Sequence, residues 1–172
     1  MSPLFGRRPP IRVDRGERLL AHATAVDGLV GGSRDALYVV RRLGTALAVE
    51  ETVRIPWEDV QSADWDQDAS VLHVVEVGSW GELRPEHRLT LEEPGLLLQL
   101  VRERVTASVL LQRHVPVAGR RGVRVIARRA PRGDQPVRWI FEYDEGVDPD
   151  DPAVRRAADA ALDAARAEVG PL

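Results

Sequence analysis

Arg54-Ile55-Pro56-Trp57-Glu58-Asp59-Val60, followed by Ser62-Ala63-Asp64-Trp65, is the stretch whose reading decides the fold. A strand-forming run reaches a proline, which has no N–H to give to a sheet ladder, so regular pairing stops there. An aromatic anchor and an acidic turn follow, and extended structure then resumes. The segment therefore reads as two strands joined by a tight, structured corner.

Working outward towards the N-terminus, Leu19, Ala21 and Ala23 alternate with Leu20, His22 and Thr24, which predicts a strand. Gly28 to Gly32 reads as a glycine-rich turn leading into the strand Ala36-Leu37-Tyr38-Val39-Val40. Gly44-Thr45 is a further turn, before a strand from Leu47 to Ile55. In the other direction, Asp66-Gln67-Asp68 is a turn before the strand Val71 to Val77, which Gly78 and Gly81 end. His87, Leu89 and Leu91 alternate with Arg88, Thr90 and Glu92 in another half-buried strand.

Pro94 suits a first helical turn, and Glu92 and Glu93 complement a helix N-terminus. Leu97, Leu98, Val101, Val105 and Val109 recur at spacings of three and four, so a helix over 94–110 presents one apolar face to the sheet. Several strands followed by one helix, with the Ile55-Pro56-Trp57 corner in the middle, resemble the small bacterial pleckstrin-homology-like (PH-like, GRAM-like) domains of GC-rich actinobacteria. The resemblance covers residues 14–112. It implies an α+β fold in which a strongly bent antiparallel sheet, or split barrel, of about seven strands is capped by a helix. It also implies that Trp57 and Trp65 are structural anchors rather than ligand platforms. Eukaryotic members bind phosphoinositides through several Lys or Arg around the loop joining the first two strands. Here the segment Ala25 to Asp35 offers Arg34 alone, beside Asp27 and Asp35, so no stable membrane association is expected.

Residues 1–13 show neither pattern and read as a flexible tail. Residues 113–172 extend past what the PH-like fold requires. Val123, Val125 and Ala127 alternate with Arg124, Ile126 and Arg128, and Val137, Trp139, Phe141 and Tyr143 alternate with Arg138, Ile140 and Glu142. A hairpin turning at Pro131-Arg132-Gly133-Asp134 pairs 124 with 142, 126 with 140 and 128 with 138, which puts the apolar sets on one face. Asp151-Pro152 is an N-cap and first-turn pair, and Val154, Ala158, Ala161, Leu162 and Ala165 give a narrow apolar face down to Gly170. The extension is thus a β-hairpin plus a helix.

A chain of 172 residues can bury roughly 70% of its unfolded surface, enough for a core without staples. There is no cysteine, so disulfides and thiolate metal sites are excluded. All 24 cationic residues are arginine, as GC-rich codon usage produces. Arg7-Arg8 is not followed by an apolar export segment, and the Leu96-Leu97-Leu98 run falls far short of the ~20 residues of a membrane span. A cytoplasmic location is expected.

Asp64, Asp66 and Asp68 have the spacing of a calcium loop, but Ala69 stands where glycine must turn the chain and Val75 where a bidentate glutamate belongs. His22, His73, His87 and His114 lie on different elements, none with a second ligand at metal spacing. His73 shares a strand face with Val71, Val75 and Val77, and an inward orientation would favour its neutral form. Neither Gly31-Gly32-Ser33-Arg34-Asp35 nor Gly78-Ser79-Trp80-Gly81 is a nucleophile elbow, and no phosphate-binding glycine fingerprint occurs. No metal, cofactor or catalytic residue is expected.

Charge is the most uneven feature. Residues 113–138 hold eight Arg against the single acid Asp134, a balance of +7, and from Trp139 onward the balance is −6. In one reading Arg124, Arg128 and Arg138 form an exposed face for RNA, DNA or another anionic partner. In the other, the acidic C-terminal segment and Glu142 satisfy those arginines, in keeping with a net charge of −3. The second is favoured, so the expectation is a non-enzymatic binding module with a protein partner, and nucleic-acid binding through the hairpin as the alternative.

Overall fold

The computed structural model describes residues 10–43, 49–79 and 82–170. The chain is α+β, with antiparallel strands in three sheets and two helices, and no closed barrel among the described residues. It divides into two compact units, Met1–Val105 and Thr106–Leu172. The division falls within a helix and ahead of residue 113, where the sequence pattern placed the start of the extension.

In the first unit, β1 (Ala21–Ala25), β2 (Gly28–Gly32), β3 (Ala36–Leu43) and β4 (Val49–Pro56) form a sheet in chain order. The corner Trp57–Asp59 is a single 3-10 turn, after which β5 (Val60–Asp66), β6 (Val71–Glu76) and β7 (Glu86–Thr90) form a second sheet. The sheets meet at one bridge, Ala25 with Leu91, and through Val26 N–H to Thr90 O at 2.9 Å. The core between them holds Val30, Leu37, Val39, Ile55, Trp57, Val60, Leu72, Val74 and Leu91, closed over by Leu97 and Val101 of α1 (Leu97–Ser108).

Gly28 to Gly32 is strand β2, not a turn, and the turn is Val26-Asp27. A Cβ on Gly31 would come within 2.6 Å of Ile11 Cδ1, and one on Gly32 within 2.6 Å of Leu100 Cδ2. The glycines there make room for packing on both faces, a role that glycine content alone does not distinguish from turning. Ile11, assigned to a flexible tail, is 1% exposed and packs with Ala36, Tyr38 and Val40, while Val13 leans on the same cluster. An isolated apolar residue between Pro10 and Arg12 has no period to reveal it. The helix starts at Leu97 rather than Pro94, because Gly95 has φ +50° and the preceding residues form a turn. The Gly44-Thr45 turn, Leu47, the Gly81 strand end and Arg7-Arg8 lie outside the described residues.

The second unit is a sheet of order β10-β9-β8 with one helix, from β8 (Val109–Ala118), β9 (Arg121–Arg128), β10 (Arg138–Tyr143) and α2 (Pro152–Val169). The β9/β10 register is the expected one, with Arg124 opposite Glu142, Ile126 opposite Ile140 and Arg128 opposite Arg138. Strand β8 is the element that sequence reasoning missed. Val109, read as the last rung of a helical stripe, begins a run in which half-buried and exposed positions alternate through Ala118. That run pairs with β9, whose ladder outweighs one more helical turn.

Helix α2 has the predicted caps. Asp151 Oδ1 accepts a hydrogen bond from Ala153 N at 2.7 Å, and Gly170 closes the last turn at φ +79°. Its buried residues Val154, Ala158, Ala161 and Ala165 are small, which lets the helix lie close on β8 and β9 over Leu111, Val115 and Val125. No helix among the described residues is long and apolar enough to cross a membrane.

Candidate functional site

Two polar clusters in the first unit have catalytic residue types and are closed on themselves. In one, Arg54 Nε and Nη2 donate to Glu17 Oε1 at 3.0 and 2.5 Å, and Tyr38 Oη donates to Glu17 Oε2 at 3.0 Å. The Ser33 hydroxyl also donates to that carboxylate, while its oxygen accepts from Ala36 N at 3.0 Å. Burial alone would raise the Glu17 pKa, but hydrogen bonds from Ser33, Arg54 and Tyr38 outweigh it and hold the carboxyl below its usual range. The Arg54 charge also contributes, and Asp14 N–H donates to Tyr38 Oη at 2.9 Å. Both Glu17 oxygens accept hydrogen bonds, from Arg54 on one side and from Ser33 and Tyr38 on the other, so the cluster clamps residues 14–17 to the sheet.

In the other cluster His87, 7% exposed, lies between Glu76 and Arg41. The Arg41 Nη2 group, 3.2 Å away, can only donate, so His87 Nδ1 accepts and Nε2–H donates to Glu76 Oε1 at 2.6 Å. His73 sits on the outer face, between buried Leu72 and Val74, and meets Glu86 at 2.9 Å, so the inward orientation considered for it does not occur. His114 meets Asp144 at 2.8 Å in the second unit. Among the described residues no group of three or more potential metal ligands converges. In the Asp64-Asp66-Asp68 turn, Asp66 Oδ1 accepts from Ala69 N at 3.0 Å.

The hairpin arginines do not form one exposed face. Arg124 pairs with Glu142 at 3.4 Å, as the charge-satisfying reading expects. Arg128 is 3% exposed and donates to Ser108 Oγ at 3.0 Å, and burial lowers its pKa against the opposing pull of Glu142. Arg138 is exposed across the ladder from it, and Arg113 reaches Glu168 of α2 in an ion pair. Alternation put the three on one side of the sheet, but it carried no information on what covers that side.

A groove of about 510 Å³ lies between β5 and α1, lined by Ala63, Asp64, Trp65, Leu72, Leu98, Gln99, Val101 and Arg102. The two tryptophans differ here. Trp57 is fully buried and its indole N–H donates to Ser33 O at 3.1 Å. Trp65 is half-buried, one side on the core and the other forming groove wall. The helical stripe predicts Leu98 on the face packed on the sheet; it touches the core and is only partly covered. The spacing of the helical stripe was legible. Its width relative to the sheet beneath was not.

A second, smaller groove of about 250 Å³ is lined by Asp27, Arg41, Arg42 and Arg88. Its cations come from β3 and β7, outside the Ala25–Asp35 segment where a first-loop cluster was sought, and Arg34 is not among them. Comparison of the chain with protein-family models, with curated proteins and with solved structures yields no match.

Proposed function

We propose that this chain is a non-enzymatic interaction module on a PH-like scaffold, acting in the cytoplasm, and that its ligand is a protein held in the groove between β5 and α1. The PH-like reading is supported by element order, a sheet of four strands and a sheet of three followed by a helix. The observation that carries the function is the groove itself, apolar along its floor and open, with a half-exposed tryptophan in its wall. A concave, mostly apolar site edged by a few polar groups is a place where a ligand excludes water. The smaller cationic groove has half the volume, and Arg41 on its wall is already held by His87.

Affinity capture from a cell extract on the wild-type chain and on Leu98→Glu tests this. Leu98 is partly buried and packs against the core, so circular dichroism of Leu98→Glu first checks that the variant folds with a charge in its groove. A protein captured by wild type and absent with Leu98→Glu is the expected result. Identical captures on both would remove the groove from the function.

A further inference from the structure

We infer that the free edge of β10 pairs with β10 of a second copy of this chain, antiparallel about a two-fold axis at Ile140. Two three-stranded sheets then join into one of six strands. The inference concerns the second unit and is independent of the groove between β5 and α1.

Strand β10 ends its sheet, in the order β10-β9-β8, and β9 is its ladder neighbour among the described residues. Register shows which of its main-chain groups are directed to the open side. Asp144 N–H donates to Gly122 O at 3.0 Å, in the same frame as Glu142 with Arg124 and Ile140 with Ile126. Hydrogen-bonded and non-hydrogen-bonded pairs alternate along an antiparallel ladder, so the even-numbered residues of β10 bond to β9 and the main-chain groups of Trp139, Phe141 and Tyr143 point to the open edge. Helix α2 packs over β8 and β9, which leaves β10 at the flank of the layer.

The two edges of this sheet are built differently. Edge strands are commonly blunted by proline, bulges or charge. Strand β8 has Pro116 within it and two shifts of register against β9, at Val109/Leu111 and Pro116/Ala118. Strand β10 has no proline and pairs without a shift, and its Trp139, Ile140, Phe141 and Tyr143 are strong strand formers. It is a regular edge, the kind on which another strand pairs.

The strand is complementary to itself. A two-fold at Ile140 places Trp139 opposite Phe141 of the second copy in both halves, so the groups at the open edge exchange main-chain bonds. Arg138 then stands opposite Glu142 of the second copy, on the face away from α2. Glu142, 3.4 Å from Arg124 in its own ladder, comes to lie between two guanidinium groups. Arg138 gains an acid on the side away from Arg128, the like charge opposite it within the chain. On the face that carries Val125 and α2, the rings of Trp139 and Phe141 meet across the axis. A two-fold at Trp139 would set Glu142 opposite Pro136. One at Phe141 would set Glu142 opposite Ile140, and Arg138 opposite Asp144, which is already engaged with His114 and the Gly122 N–H. Charge therefore selects the axis at Ile140. The paired strand has six residues, about 20 Å at ~3.4 Å per residue, so the dimer is expected to depend on concentration.

The test is sedimentation velocity on the full chain over a range of concentrations, for wild type, Arg138→Glu and Glu142→Arg, each checked by circular dichroism. Wild type is expected to pass from monomer to dimer as concentration rises. Each single variant sets like charges opposite each other in both halves of the interface and should stay monomeric. Mixing the two variants restores both pairs, and the mixture should dimerise, a result that a merely structural role for either residue does not give. In wild type the amides of Trp139 and Phe141 should exchange more slowly as concentration rises, while those of β8 do not. A chain that is monomeric at every concentration would overturn the inference. So would a dimer that survives in each single variant, or concentration-dependent protection confined to β8 or to the first unit. Glu142→Arg also gives up the pair with Arg124. If it fails to fold, loss of the dimer in Arg138→Glu, a change at an exposed residue, and the exchange pattern of wild type decide the matter.

Discussion

Arg54 and Glu17, 37 residues apart, share two hydrogen bonds, and Glu17 is the more enclosed, its side chain 7% exposed against 32% for Arg54. The pair ties the segment before β1 to β4 across the β2/β3 corner, where Ser33 and Tyr38 complete the carboxylate's shell. Removing Glu17 frees that segment and leaves the part-exposed Arg54 guanidinium with Asp14, 3.1 Å away, as its remaining carboxylate.

Stability should fall in acid because of Glu17. Its folded pKa is depressed, so its contribution is present above the unfolded carboxylate value of about 4.3 and is lost as pH falls through the folded value. Thermal melting between neutral and strongly acidic pH should show this loss, and Glu17→Gln should have a shallower decline. At neutral pH Glu17→Ala is expected to cost about 2–3 kcal/mol, the range of hydrogen bonds to a charged group. A melting curve for Glu17→Gln that tracks wild type at every pH would place the acid-sensitive group elsewhere.

The two tryptophans should separate. Trp57 is fully enclosed, and Trp57→Ala is expected to cost about 3–5 kcal/mol, as ring truncation does in tight packing. Trp65 has one wall open to the groove, so Trp65→Ala should cost about half as much, on the scale of area removed from water. Urea midpoints of the two variants measure the difference. Equal losses would contradict the open wall.

The arginine hairpin should not act as a nucleic-acid face. Arg124→Ala breaks a surface pair worth about 0–1 kcal/mol and should barely move the melting temperature. A gel-shift assay at low salt with RNA and DNA should show no retarded band. A robust band that weakens steeply with salt and depends on Arg124, Arg128 and Arg138 would overturn the protein-partner reading.

The cap of α2 gives a test of the second unit. Asp151 accepts from the first-turn amide of Ala153, and Asp151→Ala should cost about 1 kcal/mol, while Asp151→Ser retains most of it. Calorimetric melting distinguishes the two variants. Equal destabilisation by both would mean that the carboxylate acts by charge rather than by capping.

What the sequence by itself determined is local. The β9/β10 register follows from alternation in two strands joined by the nine-residue connection 129–137, and α2 is bounded by Asp151-Pro152 and Gly170, signals carried by the elements themselves. The corner at Ile55-Pro56-Trp57 was legible for the same reason. Tertiary structure decided the rest. Gly28–Gly32 became a strand because Ile11, Leu19 and Leu100 need the space beside it, and Val109 left the helix because β9 offered a ladder. Arg128 lost its solvent and Leu98 kept part of its own through the placement of other elements, since periodicity names the face of an element without naming what covers it. The groove follows from that placement. Its residues come from β5, β6 and α1, and only packing of a helix beside an edge strand brings them together.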